Sequence, residues 1–148
     1  MKNYQDVNLL DLGKSLEAYR QRARALIEKP TEHNAVETNI ASMTLYDSIY
    51  LLKERDRQAF EDYVGLFLQE LSEPLKAIEH QERHYKRLLD AEKRKYAETP
   101  QEKKDPVMRE RIRELEIILR NFTSSLVQMR LRGKLLAKTK NKNRTDHH

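Results

Sequence analysis

The stretch MRERIRELEIILRNFTSSLVQMRLRGKLL, residues 108–136, decides the fold. Its apolar residues recur at alternating steps of four and three, which is the 3.5-residue period of a helix that packs along another helix. A second stretch, between residues 64 and 96, has the same period. The residues between the two stretches, 99–105, contain Pro100 and predict a short loop. The chain is therefore expected to be all-α, with a C-terminal antiparallel coiled-coil hairpin.

The composition agrees with a helical chain. Charged residues make up 36% of the 148 residues, and three glycines and four prolines are too few for the turns of a many-stranded sheet. The absence of cysteine excludes disulfides, a thiolate nucleophile and cysteine-bound metal. No stretch has the roughly 20 apolar residues that a membrane span needs, and the N-terminus lacks the apolar core of a signal peptide. We expect an elongated helical bundle in the cytoplasm.

Four helices are predicted, followed by a tail. Pro30 ends the first helix, and Thr31 is the predicted N-cap of the second. Pro74 lies inside the third helix, which we expect to kink or restart there. Asp105-Pro106 has the form of an N-cap followed by proline at the first helical position. The predicted single domain, 1–138, has helices at about 6–29, 33–53, 57–98 and 106–138, and residues 139–148 are predicted to be a flexible basic tail.

The apolar positions of the two C-terminal stretches form a predicted interaction seam. A hairpin with one apolar stripe on each arm must pack on the first two helices or on another copy, so a homodimer is expected. Three further apolar residues, Ile118, Val127 and Leu135, widen the stripe of the last helix. The seam positions are Val64, Leu68, Leu71, Leu75, Ile78, Tyr85, Leu89, Tyr96, Met108, Ile112, Leu115, Leu119, Phe122, Leu126, Met129 and Leu136.

Two glutamates, Glu82 and Glu92, interrupt the seam of the third helix. A carboxylate at a seam position is costly unless it is paired, and such a pair can fix the register or the partner. We expect one or both of Glu82 and Glu92 to play this part by meeting a basic residue of the last helix. The candidates are Arg111, Arg113 and Arg120.

The charge is unevenly distributed along the chain. Residues 31–76 carry a net charge of −5, whereas residues 77–148 carry +8. A positive C-terminal end can attract a nucleic acid, an acidic protein surface or an anionic lipid, and it can equally be a solvated tail. The candidate phosphate contacts are Arg120, Arg130, Arg132, Lys134, Lys138, Lys140, Lys142 and Arg144.

Candidate chemistry is sparse. His80 and His84 have a spacing that can chelate a metal, but Arg83 and Lys86 beside them oppose a dication, so no metal is assigned. The sequence contains no phosphate loop, nucleophile elbow or dinucleotide motif, and it predicts neither a catalytic residue nor a cofactor. The expected function is a non-enzymatic helical interaction or adaptor protein, acting as a homodimer. The alternative is a nucleic-acid-binding accessory protein that makes sequence-independent phosphate contacts with its basic C-terminal helix and tail.

Overall fold

The computed structural model describes residues 9–145, which form four α-helices and one short 3₁₀ helix. The helices are α1 (Leu9–Glu28), α2 (Glu32–Tyr50), α3 (Arg57–Glu98) and α4 (Pro106–Thr145), and the 3₁₀ helix is Gln101–Lys103. No strand occurs among these residues. The predicted all-α fold is therefore confirmed. Residues 6–8, at the start of the first predicted helix, lie outside the described part of the chain.

Local sequence sets the helix boundaries at the predicted caps. The Thr31 hydroxyl accepts a hydrogen bond of 3.1 Å from the backbone N–H of Asn34. The Asp105 carboxylate accepts one of 3.1 Å from the N–H of Met108, directly before Pro106 begins α4. Each cap satisfies an N–H group that has no partner within its own helix.

α2 and α4 lie side by side and run parallel. The Asn121 side chain in α4 donates to the Glu32 carboxylate in α2 at 2.7 Å. Further along both helices, the Asn39 amide donates to the Gln128 side chain at 3.0 Å. Both pairs are 89 residues apart in the sequence, so the two helices keep one register over this length.

α3 packs on the other side of α4 and runs antiparallel to it, as the predicted hairpin requires. The Thr123 hydroxyl of α4 donates to the Glu82 carboxylate at 2.8 Å, and further along α4 Arg130 pairs with Glu79, which lies earlier in α3. This α3–α4 packing is the most extensive contact between helices in the described residues.

α1 completes a four-helix arrangement by packing on α2 and α3. The Tyr19 ring stacks on Phe67 with their centroids 6.3 Å apart, and its hydroxyl donates to the Glu70 carbonyl at 2.8 Å. Arg20 forms an ion pair of 2.6 Å with the Glu70 carboxylate. Burial raises the pKa of the Tyr19 hydroxyl, and the Glu70 charge raises it further.

The predicted seam faces the interior of this single chain. Tyr85 of α3 stacks on Phe122 of α4 with ring centroids 5.6 Å apart. The remaining seam positions are partly buried. Most of the hairpin's apolar stripes are thus covered by each other and by α1 and α2, while Tyr96, Met108, Ile112 and Leu119 stay partly exposed. The buried seam residues are Val64, Leu71, Ile78, Leu89, Leu115, Phe122, Leu126, Met129 and Leu136.

Of the two alternatives predicted at Pro74, a kink or a restart, the structure contradicts the restart. α3 is continuous from Arg57 to Glu98, and Pro74 is buried within it. A proline removes only one helical hydrogen bond, and the buried side chains of Leu71 and Ile78 on either side hold the helix in place.

Two predicted helix ends are also corrected. The second helix ends at Tyr50, before the turn at residues 51–55, rather than at about residue 53. α4 continues to Thr145, so the predicted helix end at about residue 138 is wrong, whereas the flexibility of residues 139–148 stays a prediction. Extending a formed helix needs no new nucleation, and basic residues interact favourably with the C-terminal end of the helix dipole. Residues 146–148 of the predicted tail lie outside the described residues.

Candidate interaction surface

The junction between α2 and α4 is held by one half-buried arginine, Arg132. Its guanidinium donates to the Asn39 side-chain oxygen at 2.5 Å and to the Ser42 hydroxyl at 3.0 Å. It also donates to the Asn39 carbonyl at 3.3 Å. Asn39 in turn donates to Gln128, so α2 and α4 share a polar network at their common edge.

Two of the candidate phosphate contacts are engaged within the chain. Burial lowers the pKa of Arg132, while the charge of Asp47 acts in the opposite direction. Arg130 is paired with Glu79 of α3. These two arginines therefore help to hold the bundle together, because their donors already have partners inside it.

Other candidate phosphate contacts lie on the outside of α4. Arg120, Lys134, Lys138 and Lys142 are exposed, and Lys140 is partly exposed. The backbone of residue 144 belongs to α4, but its side chain is outside the described part of the structure. Residues 117–145 of α4 contain no aspartate or glutamate. The exposed cations thus lie on a helix segment without acidic side chains of its own.

Large apolar side chains are exposed next to these cations. On α4, Val127, Leu131 and Leu135 occupy successive turns, with 55%, 52% and 42% of their surface exposed. On α2, Ile40 and Met43 are exposed to a similar extent. The offset of 89 residues between the two helices places Ile40 level with residue 129 and Met43 level with residue 132. These five residues, at one height of the bundle, are called the α2–α4 face.

The α2–α4 face was not recognised from the sequence. Of the residues that widen the predicted stripe of α4, Ile118 packs against the core, as expected for a bundle contact. Val127 and Leu135 instead remain exposed. Their spacing of four residues on either side of Leu131 was the available signal, because this spacing places three apolar side chains on one helix face.

Glu82 and Glu92 do not make the predicted ion pairs. The Glu82 carboxylate accepts a hydrogen bond from the Thr123 hydroxyl. Within residues 9–145, no ion pair joins either glutamate to the three arginines proposed as partners. Those arginines are exposed, whereas Thr123 lies beside the buried Phe122 on the side of α4 that faces α3.

The described residues contain neither a cluster of three or more potential metal ligands nor a helix that could span a membrane. His80 and His84 are exposed on α3, and the His84 ring lies edge-on to Tyr85 at 5.3 Å. No group of three or more histidine, aspartate or glutamate side chains in the described part of the chain could hold a metal ion. None of its helices combines the length and the apolar character that crossing a membrane requires.

Comparison with known proteins identifies no relative. No protein family, curated protein or solved structure matches the chain. Function is therefore inferred from the surface of the chain itself.

Proposed function

We propose that this chain is a non-enzymatic interaction or adaptor protein that binds a protein partner through the α2–α4 face. The observation that carries the proposal is the exposure of Leu131 between two other exposed apolar residues of α4, beside those of α2. Isolated exposed apolar residues are ordinary, but a contiguous group on neighbouring helices is typical of an interaction surface. Burying such residues against a partner is favourable: full burial of a large apolar side chain gains roughly 1.5–3 kcal/mol, and about half of that remains to be gained by side chains that are half exposed.

The seam has a different part in this proposal from the one predicted. Most of its apolar residues are buried or packed against the core, so the proposal assigns the binding to the more exposed outer surface of α2 and α4. The absence of catalysis is proposed from the sequence, which has no cysteine and no catalytic motif. The homodimer and the cytoplasmic location remain predictions.

Site-specific photo-crosslinking tests the proposal. A photoreactive amino acid is placed at Leu131 and, as a matched control, at Val107, which is 74% exposed but lies at the start of α4. In cells that make the protein, position 131 should crosslink to polypeptide and position 107 should not. Crosslinks from position 131 only to nucleic acid, or no more crosslinking there than at position 107, would overturn the proposal.

One observation favours the alternative, sequence-independent binding of nucleic acid. Lys134, Lys138 and Lys142 are exposed on a helix segment that has no acidic residue, and such a segment can neutralise phosphates. Binding to random DNA and RNA duplexes should then weaken log-linearly with salt. Each phosphate contact that is removed lowers the steepness of log K against log salt concentration by about 0.7–0.9.

A triple variant measures this alternative directly. The variant combines Lys134→Gln, Lys138→Gln and Lys142→Gln. If all three lysines contact phosphate, the slope of log K against log salt concentration should become less steep by about 2–3. The control replaces three exposed lysines of α3, Lys86, Lys93 and Lys95, in the same way. Equal slopes for the two triple variants would reject phosphate binding by α4.

A further inference from the structure

α2 and the second half of α4 carry charges of opposite sign. α2 contains three acidic residues and no lysine or arginine. Glu32 and Glu37 are bonded to Asn121 and Arg22 of the same chain, so Asp47 supplies the exposed negative charge of α2. Residues 117–145 of α4 contain eight basic residues and no acidic one. Both helices also expose apolar side chains on the α2–α4 face. Each helix therefore has the apolar surface and the charge that would suit the other helix of a second molecule.

We propose that the α2–α4 face binds a second copy of this chain, with α2 of each copy lying on α4 of the other. This inference rests on the proposed function, for which it names the partner. α2 and α4 are adjacent and parallel within one chain. Consider a two-fold axis that is parallel to the helices and lies between the two copies, in front of the groove between α2 and α4. This axis places α2 of each copy on α4 of the other, and the contact closes at two copies.

Charge selects this axis over the other two-fold arrangement that buries the same face. An axis perpendicular to the helices would place α4 on α4, with Lys134 and Lys138 of both copies in one contact. Like charges that face each other in a contact oppose association. The axis parallel to the helices instead sets the basic segment against α2, which has no positive lysine or arginine side chain.

The shared register identifies which charges would meet. Asp47 is exposed on α2, and the offset of 89 residues places it level with residue 136 of α4. An axis parallel to the helices preserves this level. Asp47 of one copy therefore faces Lys134 and Lys138 of the second copy, which lie on either side of that level. Ile40 and Met43 cover Leu131 and Leu135 in the same contact.

Reciprocal charge reversal tests the arrangement. One variant carries Asp47→Lys, and the other carries Lys134→Glu with Lys138→Glu. Sedimentation velocity over a concentration series gives the mass of each. Wild-type chain should form a dimer, and each variant alone should associate about tenfold more weakly or worse, because like charges then meet at both contacts. The equimolar mixture should form a heterodimer with near wild-type affinity, because opposite charges are restored at both contacts.

Two controls make the result specific. Lys86→Glu with Lys93→Glu reverses two exposed charges on α3 and should leave the mass unchanged. Since Asp47→Lys places a cation near Arg132, Leu131→Gln serves as an independent variant, compared with Val107→Gln. Leu131→Gln should weaken dimerisation about tenfold, and Val107→Gln should have no effect.

Each contrary outcome is distinct. A wild-type chain that stays monomeric overturns the second copy as partner, yet protein crosslinks from position 131 to another polypeptide would still support the proposed function. A dimer that none of the variants weakens overturns the α2–α4 contact. Failure of the mixture to recover, although both variants are folded by circular dichroism, overturns the reciprocal arrangement. If the lysines served nucleic acid instead, mixing would not restore the binding that their reversal removes.

Discussion

Gly133 of α4 lies directly against Leu71 of α3. A Cβ atom placed on Gly133 would stand 2.7 Å from the Leu71 Cδ1 atom and 3.5 Å from the Leu68 Cδ2 atom. An alanine at this position therefore requires the end of the buried Leu71 side chain to move, since a real Cβ cannot approach a carbon atom at that distance without displacing it.

Gly133→Ala is expected to have a lower free energy of unfolding than a glycine-to-alanine change at an uncrowded helix position. Alanine favours a helix by about 1 kcal/mol over glycine, but crowding of a packed core costs about 1–3 kcal/mol. The control is Gly65→Ala in α3, where a Cβ would meet nothing within 4 Å. In urea denaturation followed by circular dichroism, the free energy of unfolding should be about 1–3 kcal/mol higher for Gly65→Ala than for Gly133→Ala. Equal stability of the two variants would contradict the close contact.

Phe122→Ala should lower the free energy of unfolding by about 3–5 kcal/mol. Phe122 is 1% exposed and stacks on Tyr85, so its removal leaves a cavity inside the hairpin. Val107→Ala, at the exposed start of the same helix, should change the stability by no more than about 0.5 kcal/mol. Thermal unfolding at two protein concentrations checks both values. A loss for Phe122→Ala that disappears at high concentration would place this side chain between copies rather than inside one.

Sequence periodicity predicted the helices and their pairing because a buried helix face must recur every three or four residues. The caps at Thr31 and Asp105 were readable for a similar reason, since a side chain that accepts from a free N–H is a local requirement. The end of α4 was placed too early because basic, polar residues were interpreted as a tail. Charge alone does not end a helix that is already formed.

The candidate surface could be predicted only in part. The period of α4 identifies Phe122 and Met129 as inward-facing, but it cannot say how wide a stripe the neighbouring helices cover. Val127 and Leu135 stay exposed because α2 packs on only one flank of α4, a fact of tertiary structure. For the same reason, Arg132 was interpreted as a phosphate contact, although its partners lie about 90 residues away in the sequence.

Thr123 and Glu82 should show a coupling of about 1 kcal/mol in a double-mutant cycle. Their hydrogen bond of 2.8 Å joins α3 and α4 at a polar position of the seam, and such a bond contributes about 0.5–1.5 kcal/mol. Thr123→Val should therefore destabilise the wild-type chain but have little effect in a Glu82→Leu background. Free energies of unfolding from urea titrations give all four corners of the cycle. Additive effects would show that the two side chains do not interact in solution.

Arg132→Ala should destabilise the chain by about 2 kcal/mol, because its guanidinium joins α2 to α4 and hydrogen bonds of charged groups contribute about 1.5–3 kcal/mol. Arg113→Ala, at an exposed position of the same helix outside the α2–α4 face, removes the same charge and should change the stability by less than about 0.5 kcal/mol. Chemical denaturation compares the two, and Asn39→Ala should reproduce part of the Arg132 effect, since it removes the side-chain acceptor at 2.5 Å. If Arg132→Ala were as stable as Arg113→Ala, the arginine would be free for an outside ligand, and the α2–α4 junction would depend on its other contacts.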